Sequence, residues 1–344
     1  MNLGNIITRA AGYWPQNLAV IDKDKRLTFA EFEERTNRLA FALLDRWFAP
    51  GSRIAVQGWN CAELVEAEAA FYKAGLTKVP VNARLSLEET VHVLNDSKAH
   101  AIIASTDHAA ALMGRRDDLP DLQTIISISS DAGNISYEAL LEDGRNENPA
   151  LDPADDTIAV LHYTSGSSGV LKAAMQTYGN RKALVRKMLV CPSARLDPGA
   201  RMAHVAPITH ASGMTMMPVF YMGGCNVLLN RFDPEELLQT IQDEKITRLF
   251  LVPTMVNRMI NLPNVADYDL SSLTSLLYGA APMTPAVVER AMEVFGPILT
   301  QGYGAGETNS MVTVLTEQDH IDALNGDKKR LASCGRSYYE NDVR

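Results

Sequence analysis

The sequence lacks several features that would assign it to a specialised class of protein. No apolar run approaches the roughly 18 uninterrupted residues of a membrane span, and residues 1–5 have neither the basic start nor the apolar stretch of a secretory signal. The four cysteines stand singly, without a Cys-x-x-Cys spacing, which is typical of reduced thiols. We therefore expect a cytoplasmic protein without a transmembrane segment, in which Cys61, Cys191, Cys225 and Cys334 are core residues.

Positive charge is also scarce. The chain has 41 acidic and 32 basic residues, a net charge of -9, and no stripe of Lys and Arg. This pattern argues against nucleic acid as a partner. If the protein binds a phosphate group, that group must be held locally by backbone amides and a few cations.

What remains is the composition of an ordinary globular protein. Of the 344 residues, 46% are apolar and 21% charged, and we find no internal repeat. This length allows two domains, or one large domain with subdomains. A polar connector at 141–156, which contains Pro149 and Pro153, predicts a boundary between subdomains 1–150 and 157–344.

Helix and strand signals alternate along the chain. Thr28 and Glu31 have the spacing of a capping box at the start of a helix. Residues 53–57 then read as a strand, the Ala-rich segment 62–74 as a helix, and the apolar segment 249–252 as a buried strand. Such alternation predicts an α/β fold in which mostly parallel sheets carry helices on their faces.

The most informative segment is 163–172, which reads YTSGSSGVLK. It combines hydroxyls, glycines that let backbone amides face outward, and one ammonium group, all of which bind polyphosphates. Apolar residues at 158–161 and 173–175 flank it, so the pattern predicts a strand, a tight turn and a second strand. A nucleotide triphosphate is the expected ligand, and a flexible Gly/Ser linker is the alternative.

Two better-known motifs do not fit this segment. A Walker-type loop requires Gly directly before the Lys and Ser or Thr directly after it, whereas Leu171 precedes Lys172 and Ala173 follows. A serine-hydrolase elbow requires Gly-x-Ser-x-Gly, whereas this chain reads Gly-Ser-Ser-Gly. Both interpretations are therefore excluded.

Three further clusters lie in the second half of the chain. Residues 278–282 end an apolar strand in small side chains, as a strand does where a flat ring approaches the backbone. Residues 301–308 place an aromatic ring, a carboxylate and a hydroxyl in a Gly-rich turn, and His210 precedes a Met-rich stretch. Each has a structural alternative: a simple turn, a half-buried aromatic residue, and a packing histidine.

In this order the motifs resemble those of the adenylate-forming (AMP-binding) superfamily, which includes acyl-CoA synthetases, peptide-synthetase adenylation domains and luciferase. Segment 164–172 resembles its phosphate loop, 301–308 its Gly-Tyr-Gly-x-Thr-Glu signature, and 279–282 its adenine-side motif; residues 74–97 are similar to that family as well. The resemblance implies two mostly parallel β-sheets flanked by helices in a layered sandwich, plus a smaller β-barrel-like subdomain. It also implies that residues 1–344 form the large N-terminal adenylating domain, without the C-terminal lid.

The same resemblance implies ligands for individual residues. The β- and γ-phosphates of ATP would be held by a mobile loop containing Thr164, Ser165, Gly166, Ser167, Ser168, Gly169 and Lys172. The adenosine side would be formed by Gly279, Ala280, Ala281, Pro282, Gln301, Gly302, Tyr303, Gly304 and Thr308. Glu307 would bind Mg²⁺, Thr308 would donate to the α-phosphate, and Tyr303 would stack on adenine. Together with Lys172, Glu307 and Thr308, His210 completes the expected catalytic set, in a steric and orienting role beside the acyl site.

Two positions depart from the family pattern. Leu171 and Ala173 flank Lys172 where Pro and Gly are usual, which changes the stiffness of the loop, and Gly306 stands where Thr or Ser is commoner. The expected activity is that of an AMP-forming acyl-CoA synthetase acting on an aliphatic or fatty acid, with ATP, Mg²⁺ and coenzyme A. Without a lid the pocket should be open to solvent and turnover weak.

Two alternatives stay open, an amino-acid adenylation domain and a non-catalytic module that binds a nucleotide or acyl group. Amino-acid-activating relatives carry a buried Asp in the segment that here reads Thr209-His210-Ala211-Ser212. The missing Asp favours an acid without an ammonium group. A small-molecule acid, ATP and coenzyme A are thus the expected partners, and the sequence leaves a homodimer open.

Overall fold

The computed structural model describes residues 1–46, 48–164, 171–190, 196–339 and 341–343. Within them the strands are β1 (Leu18–Asp22), β2 (Lys25–Thr28), β3 (Arg53–Gly58), β4 (Thr77–Asn82), β5 (Ala101–Ala104), β6 (Thr124–Ser127), β7 (Ile135–Ser136), β8 (Ile158–Thr164), β9 (Lys172–Thr177), β10 (Arg201–His204), β11 (Cys225–Leu228), β12 (Arg248–Leu251), β13 (Ser275–Gly279), β14 (Leu299–Gly304), β15 (Met311–Leu315) and β16 (Arg336–Ser337). The α-helices are α1 (Asn5–Tyr13), α2 (Phe29–Arg46), α3 (Ala62–Ala74), α4 (Leu87–Ser97), α5 (Thr106–Met113), α6 (Tyr137–Glu142), α7 (Tyr178–Val190), α8 (Met216–Tyr221), α9 (Pro234–Asp243), α10 (Pro253–Ile260), α11 (Pro285–Phe295) and α12 (Glu317–Asn325).

These strands form two sheets. The larger has the order β16-β15-β14-β13-β12-β10-β11-β1-β2, and the smaller has the order β7-β6-β5-β3-β4-β8-β9. Pairing is parallel in the interior of both sheets, whereas antiparallel strands lie at their edges. The layered α/β fold predicted from the sequence is confirmed. Both sheets are open over the described residues, so the barrel-like subdomain stays an expectation.

Helices fill the space between the sheets and cover both outer faces. The central core joins the inner faces of the two sheets through the aromatic residues Phe29, Phe32 and Phe220, which α2 and α8 supply. A second core packs α9 to α11 on the outer face of the larger sheet, and a third packs α4 and α5 on the smaller. The layer order is therefore helix, sheet, helix, sheet, helix.

Local sequence signals explain where several helices begin and end. The Thr28 backbone N–H and hydroxyl both donate to the Glu31 carboxylate, at 2.8 and 2.7 Å, in the capping box that starts α2. Helix α3 ends at Gly75, whose φ of 64° is the left-handed conformation that favours glycine. The predicted strand at 53–57 and helix at 62–74 are confirmed as β3 and α3.

Other expectations need correction or stay open. Cys225 is buried and Cys61 partly so, but Cys334 is exposed, so the core assignment is wrong for Cys334; Cys191 lies outside the described residues. The connector at 141–156 leads from β7 into β8 of the same, smaller sheet, and the chain returns to the larger sheet only after α7. The division into two subdomains stays a prediction. No helix of the described residues has the length and apolarity needed to cross a membrane.

Strands β13 and β14 approach each other through paired glycines. Gly279 lies opposite Gly302 in the parallel ladder, and a β-carbon at Gly279 would collide with the Gly302 carbonyl oxygen. We predict that Gly279→Ala lowers the free energy of unfolding by about 1–3 kcal/mol or more, because a backbone atom in a ladder cannot move aside cheaply. Urea unfolding measures this change.

Gly12 provides the matched control for this substitution. It is exposed near the end of α1 and has no atom within 4 Å of its added β-carbon. Gly12→Ala should leave stability unchanged or raise it by up to about 1 kcal/mol, because alanine favours helix. Equal effects of the two substitutions would contradict the predicted collision at Gly279.

Candidate active site

A cavity of about 400 Å³ lies between the two sheets, near the carboxyl ends of their parallel strands. Its walls are formed by Glu68, Lys78, Pro80, Val160, His162, Gln176, Arg181, Leu184, Met188, Ala206, Pro207, Ile208, Thr209, His210, Ala211, Ser212, Gly213, Met214, Thr215, Phe250, Val252, Leu277, Ala280, Gly302, Gly304, Ala305, Gly306, Ser310 and Met311. Four predicted site residues are among them: His210, Ala280, Gly302 and Gly304. In open α/β sheets such crevices are the usual place for ligands.

The predicted phosphate segment begins and ends in a hairpin of the smaller sheet. Strands β8 and β9 pair antiparallel, and Thr164 lies opposite Lys172, so the two predicted strands are confirmed. Lys172 is exposed and Thr164 is half-buried. The tip between them, with Ser165, Gly166, Ser167, Ser168 and Gly169, lies outside the described residues. The mobility predicted for this loop therefore stays a prediction.

The predicted adenine-side segment leaves the end of β13. Ala280, directly after the strand, has a φ of +66°, a left-handed conformation that is unfavourable for any residue with a β-carbon. Ala281 and Pro282 are exposed beyond it. Since Gly279 pairs with Gly302 and Tyr278 with Gln301, the ladder brings this segment beside the predicted signature at 301–308.

The turn that follows β14 packs against the end of β8. A β-carbon at Gly306 would lie 2.7 Å from Cδ2 of His162 and 3.2 Å from Cγ2 of Thr164. The Gln176 side-chain amide of β9 also donates to the Gly306 carbonyl oxygen at 2.9 Å. The structure therefore brings together the start of the phosphate segment and the turn that carries Glu307 and Thr308.

Within this turn the Thr308 hydroxyl has local partners. It accepts from the Ala305 N–H at 2.9 Å and lies 3.0 and 2.8 Å from the carbonyl oxygens of Ala305 and Ser310. Donation to a phosphate would require the hydroxyl to turn away from these carbonyls. These hydrogen bonds fix the Thr308 side chain within the turn. Its predicted role stays a prediction.

Tyr303 and Glu307 present their side chains to solvent. Tyr303 is 55% exposed at the end of β14, and Glu307 is exposed in the turn. The described residues contain no group of three or more His, Cys, Asp or Glu side chains that could hold a metal by themselves. One exposed carboxylate still suits Mg²⁺, which commonly takes one or two carboxylates together with nucleotide phosphates.

His210 stands on the cavity wall next to a second histidine. Its ring packs edge-on against His162, with 5.4 Å between the centroids, and its Nδ1 lies 3.1 Å from the Thr209 hydroxyl oxygen. Burial lowers the pKa of His210, and Lys78 lowers it further. Burial, then His210, Arg181 and Lys78, lower the pKa of His162 to about 4. Both rings are therefore neutral near pH 7, and the orienting role of His210 stays a prediction.

Sequence reasoning missed a buried ionic cluster on the same wall. Glu68 of α3 pairs with Lys78 of β4 at 2.5 Å and with Arg181 of α7 at 3.1 Å. Burial would raise the pKa of Glu68, but the two cations outweigh it and lower that pKa. A sequence signal did exist, because Lys78 interrupts an otherwise apolar strand and Glu68 an Ala-rich helix.

The depressed pKa of His162 gives a stability prediction. Between its ordinary pKa of 6.5 and its folded value of about 4, the unfolded chain takes up a proton that the folded chain does not. The stability contributed by neutral His162 is therefore fully present above pH 6.5 and is lost as the pH falls towards 4, by at most about 1.4 kcal/mol per pH unit. His162→Gln should flatten this slope in urea unfolding series.

The expected flattening is partial, because burial also lowers the pKa of His204 to about 4. His92 is exposed, so His92→Gln serves as the control and should keep the wild-type slope. If His162→Gln and the wild-type protein lose stability equally as the pH falls, the prediction for His162 is contradicted.

Comparison with known proteins agrees with this geometry. Feruloyl-CoA synthase from Amycolatopsis sp is 33% identical over 344 residues, which cover 99% of this chain and 65% of that protein. The medium/long-chain-fatty-acid–CoA ligase FadD8 of Mycobacterium tuberculosis is 28% identical, with 91% of this chain and 55% of that protein covered. The chain thus spans less than two thirds of the length of these relatives.

The fold agrees as well. The inhibitor-bound N-terminal domain of FACL13 from Mycobacterium tuberculosis superposes with a TM-score of 0.88 at 24% identity, covering 98% of this chain and 82% of that one. The family model described as AMP-binding enzyme matches residues 7–344. The resemblance seen in the sequence motifs is confirmed, and the chain belongs to the AMP-binding enzyme family.

Proposed function

We propose that this chain forms an acyl-adenylate from a carboxylic acid and ATP, as the adenylating part of an AMP-forming acyl-CoA synthetase. The observation that carries the proposal is the contact of Gly306 with His162 and Thr164. It places the start of the phosphate segment next to the turn that bears Glu307, at a cavity large enough for an acid. The relatives named above are CoA ligases or synthases, which supports coenzyme A as the acyl acceptor.

In this proposal, different residues would bind different parts of the nucleotide. Thr164, Lys172 and the loop between them would hold the β- and γ-phosphates, because hydroxyls, amides and an ammonium group suit polyphosphate. Tyr303 would stack on adenine while Ala280 and its small neighbours pack beside the ring. Glu307 would hold Mg²⁺, which when bound neutralises charge on the phosphate oxygens.

In the proposed reaction, a carboxylate oxygen of the acid attacks the α-phosphorus of ATP. The bond from the α-phosphorus to the bridging oxygen breaks, and pyrophosphate leaves with the electron pair. Two anions must meet, so the protein contributes mainly by positioning and by positive potential. His210, neutral and packed against His162, would orient the carboxylate without transferring a proton.

The acid should have a mainly apolar body. Leu184, Met188, Phe250, Leu277 and Met311 line the cavity, and flexible Met side chains adapt to varied apolar shapes. Feruloyl-CoA synthase and the fatty-acid ligase are named for acids with such bodies. An aliphatic or fatty acid remains our prediction for this chain, as does a cytoplasmic location, and a homodimer stays open.

An amino acid is a poor fit, although a buried carboxylate lines the cavity. Glu68 is already paired with Lys78 and Arg181, so a substrate ammonium would meet two cations and one anion. Bringing a third positive charge there would cost free energy. The charge balance of this wall thus supports an acid without an ammonium group, which the absence of an Asp at 209–212 also favours.

A non-catalytic nucleotide-binding module is the second candidate. The observation in its favour is the Thr308 hydroxyl, which is engaged by Ala305 and Ser310. ATP–pyrophosphate exchange over a panel of carboxylic acids separates the two candidates. Exchange that depends on one class of acid supports the enzyme, whereas AMP binding without exchange for any acid supports the module.

Glu307→Gln tests the proposed metal ligand. We predict that it lowers acid-dependent exchange roughly 100-fold, the usual effect of losing one electrostatic stabiliser of a transition state, and that added Mg²⁺ restores part of the loss. Since Glu307 is exposed, the unfolding midpoint should not change. Glu142→Gln, also at an exposed carboxylate, is the control and should keep full exchange; full exchange by Glu307→Gln would contradict the role.

A further inference from the structure

The ionic cluster on the cavity wall carries more positive than negative charge. Lys78 and Arg181 are cations and Glu68 is an anion; each also lines the cavity, yet the three are only 8%, 7% and 2% exposed. The neighbouring His162 and His210 are neutral near pH 7 because burial lowers their pKa values. This part of the wall therefore has a net charge of +1, and an uncompensated buried charge is costly.

The cluster also has hydrogen-bond donors to spare. Arg181 directs three of its N–H groups to Tyr72, Glu68 and Gln176, at 2.8, 3.1 and 3.5 Å, which leaves two of the five that a guanidinium carries. The Lys78 ammonium donates to Glu68, and the described residues offer it no second acceptor. Charge and spare donors both point towards an oxygen acceptor that comes from a ligand in the cavity.

We propose that Lys78 and Arg181 form a subsite for a second, anionic oxygen group of the acid substrate, so that the preferred substrate is a dicarboxylic acid with an apolar body. This inference rests on the proposed adenylating function and narrows its substrate class. The apolar lining from Leu184 to Met311 would hold the body, and the cluster would hold the carboxylate that does not react.

The reacting carboxylate is a less suitable occupant of the cluster. It must reach the α-phosphorus, which under the proposed function would lie near Glu307 in an exposed turn, whereas Lys78 and Arg181 are buried in the cavity wall. A carboxylate held by both cations also has its oxygen lone pairs engaged, which makes it a poor nucleophile. The two roles therefore call for two separate carboxylates.

Matched sets of acids test the subsite. Each set contains a dicarboxylate, its monomethyl ester and the plain monoacid of the same length, in straight-chain and aromatic series. ATP–pyrophosphate exchange by the wild-type chain should favour the dicarboxylate over the monoacid by about 10- to 100-fold in the KM for the acid, the effect of a charge-assisted hydrogen bond. The ester, a neutral acceptor, should fall between them.

Lys78→Met gives the matched variant, because it leaves Glu68 and Arg181 as a neutral pair. It should remove most of the preference for the dicarboxylate, measured as the ratio of exchange with the dicarboxylate to exchange with the monoacid. Lys182→Met is the control. Lys182 belongs to neither the cavity lining nor the ionic cluster, and it pairs with Asp152 and Asp155. If Lys78→Met does not fold, Lys78→Arg, which keeps the charge, should keep the preference.

Several outcomes would overturn the inference. One is a wild-type chain that exchanges with monoacids as well as with dicarboxylates, and another is a Lys78→Met variant that loses both equally. Absence of exchange with every acid would instead reject the proposed function. Thermal unfolding in the presence of each acid alone then decides the subsite: selective stabilisation by dicarboxylates that Lys78→Met abolishes supports it, and equal shifts for all acids reject it.

Discussion

The packing of the turn after β14 against the end of β8 is the contact on which the candidate site depends. β14 belongs to the larger sheet and β8 to the smaller, so this contact joins the two sheets where their parallel strands end. A β-carbon added at Gly306 would lie 2.7 Å from the His162 ring, so any larger residue there would require the ring to shift. Under the proposed function, this close approach would bring the nucleotide and acid subsites next to each other.

This packing gives a physical reason for one departure from the family pattern. Gly306 stands where Thr or Ser is commoner, and in this chain the His162 imidazole occupies the volume that such a side chain would need. The absence of a side chain at position 306 and the position of the His162 ring are therefore physically linked. The ring also contacts His210, so this packing extends into the cavity wall beside the predicted orienting residue.

The sequence predicted well those features that depend on near neighbours. The capping box of Thr28 and Glu31, the helix at 62–74, and the hairpin on either side of the phosphate segment all follow from residues a few positions apart. The ionic cluster did not follow, because Glu68 and Arg181 are 113 positions apart and meet only when α3 packs near α7. A lysine in an apolar strand signalled a buried charge, but its partners were set by the fold.

Gln176 links the two halves of the site. Its amide nitrogen donates to the Gly306 carbonyl oxygen at 2.9 Å and its amide oxygen faces Arg181 at 3.5 Å. The reverse orientation would point its oxygen at a carbonyl and its N–H groups at a guanidinium, so only one orientation suits this buried position. The cation that faces the cavity and the turn that carries Glu307 are thereby held by the same side chain. If the acid binds at this wall as proposed, its binding would be physically connected, through Gln176, to the position of the turn that carries Glu307.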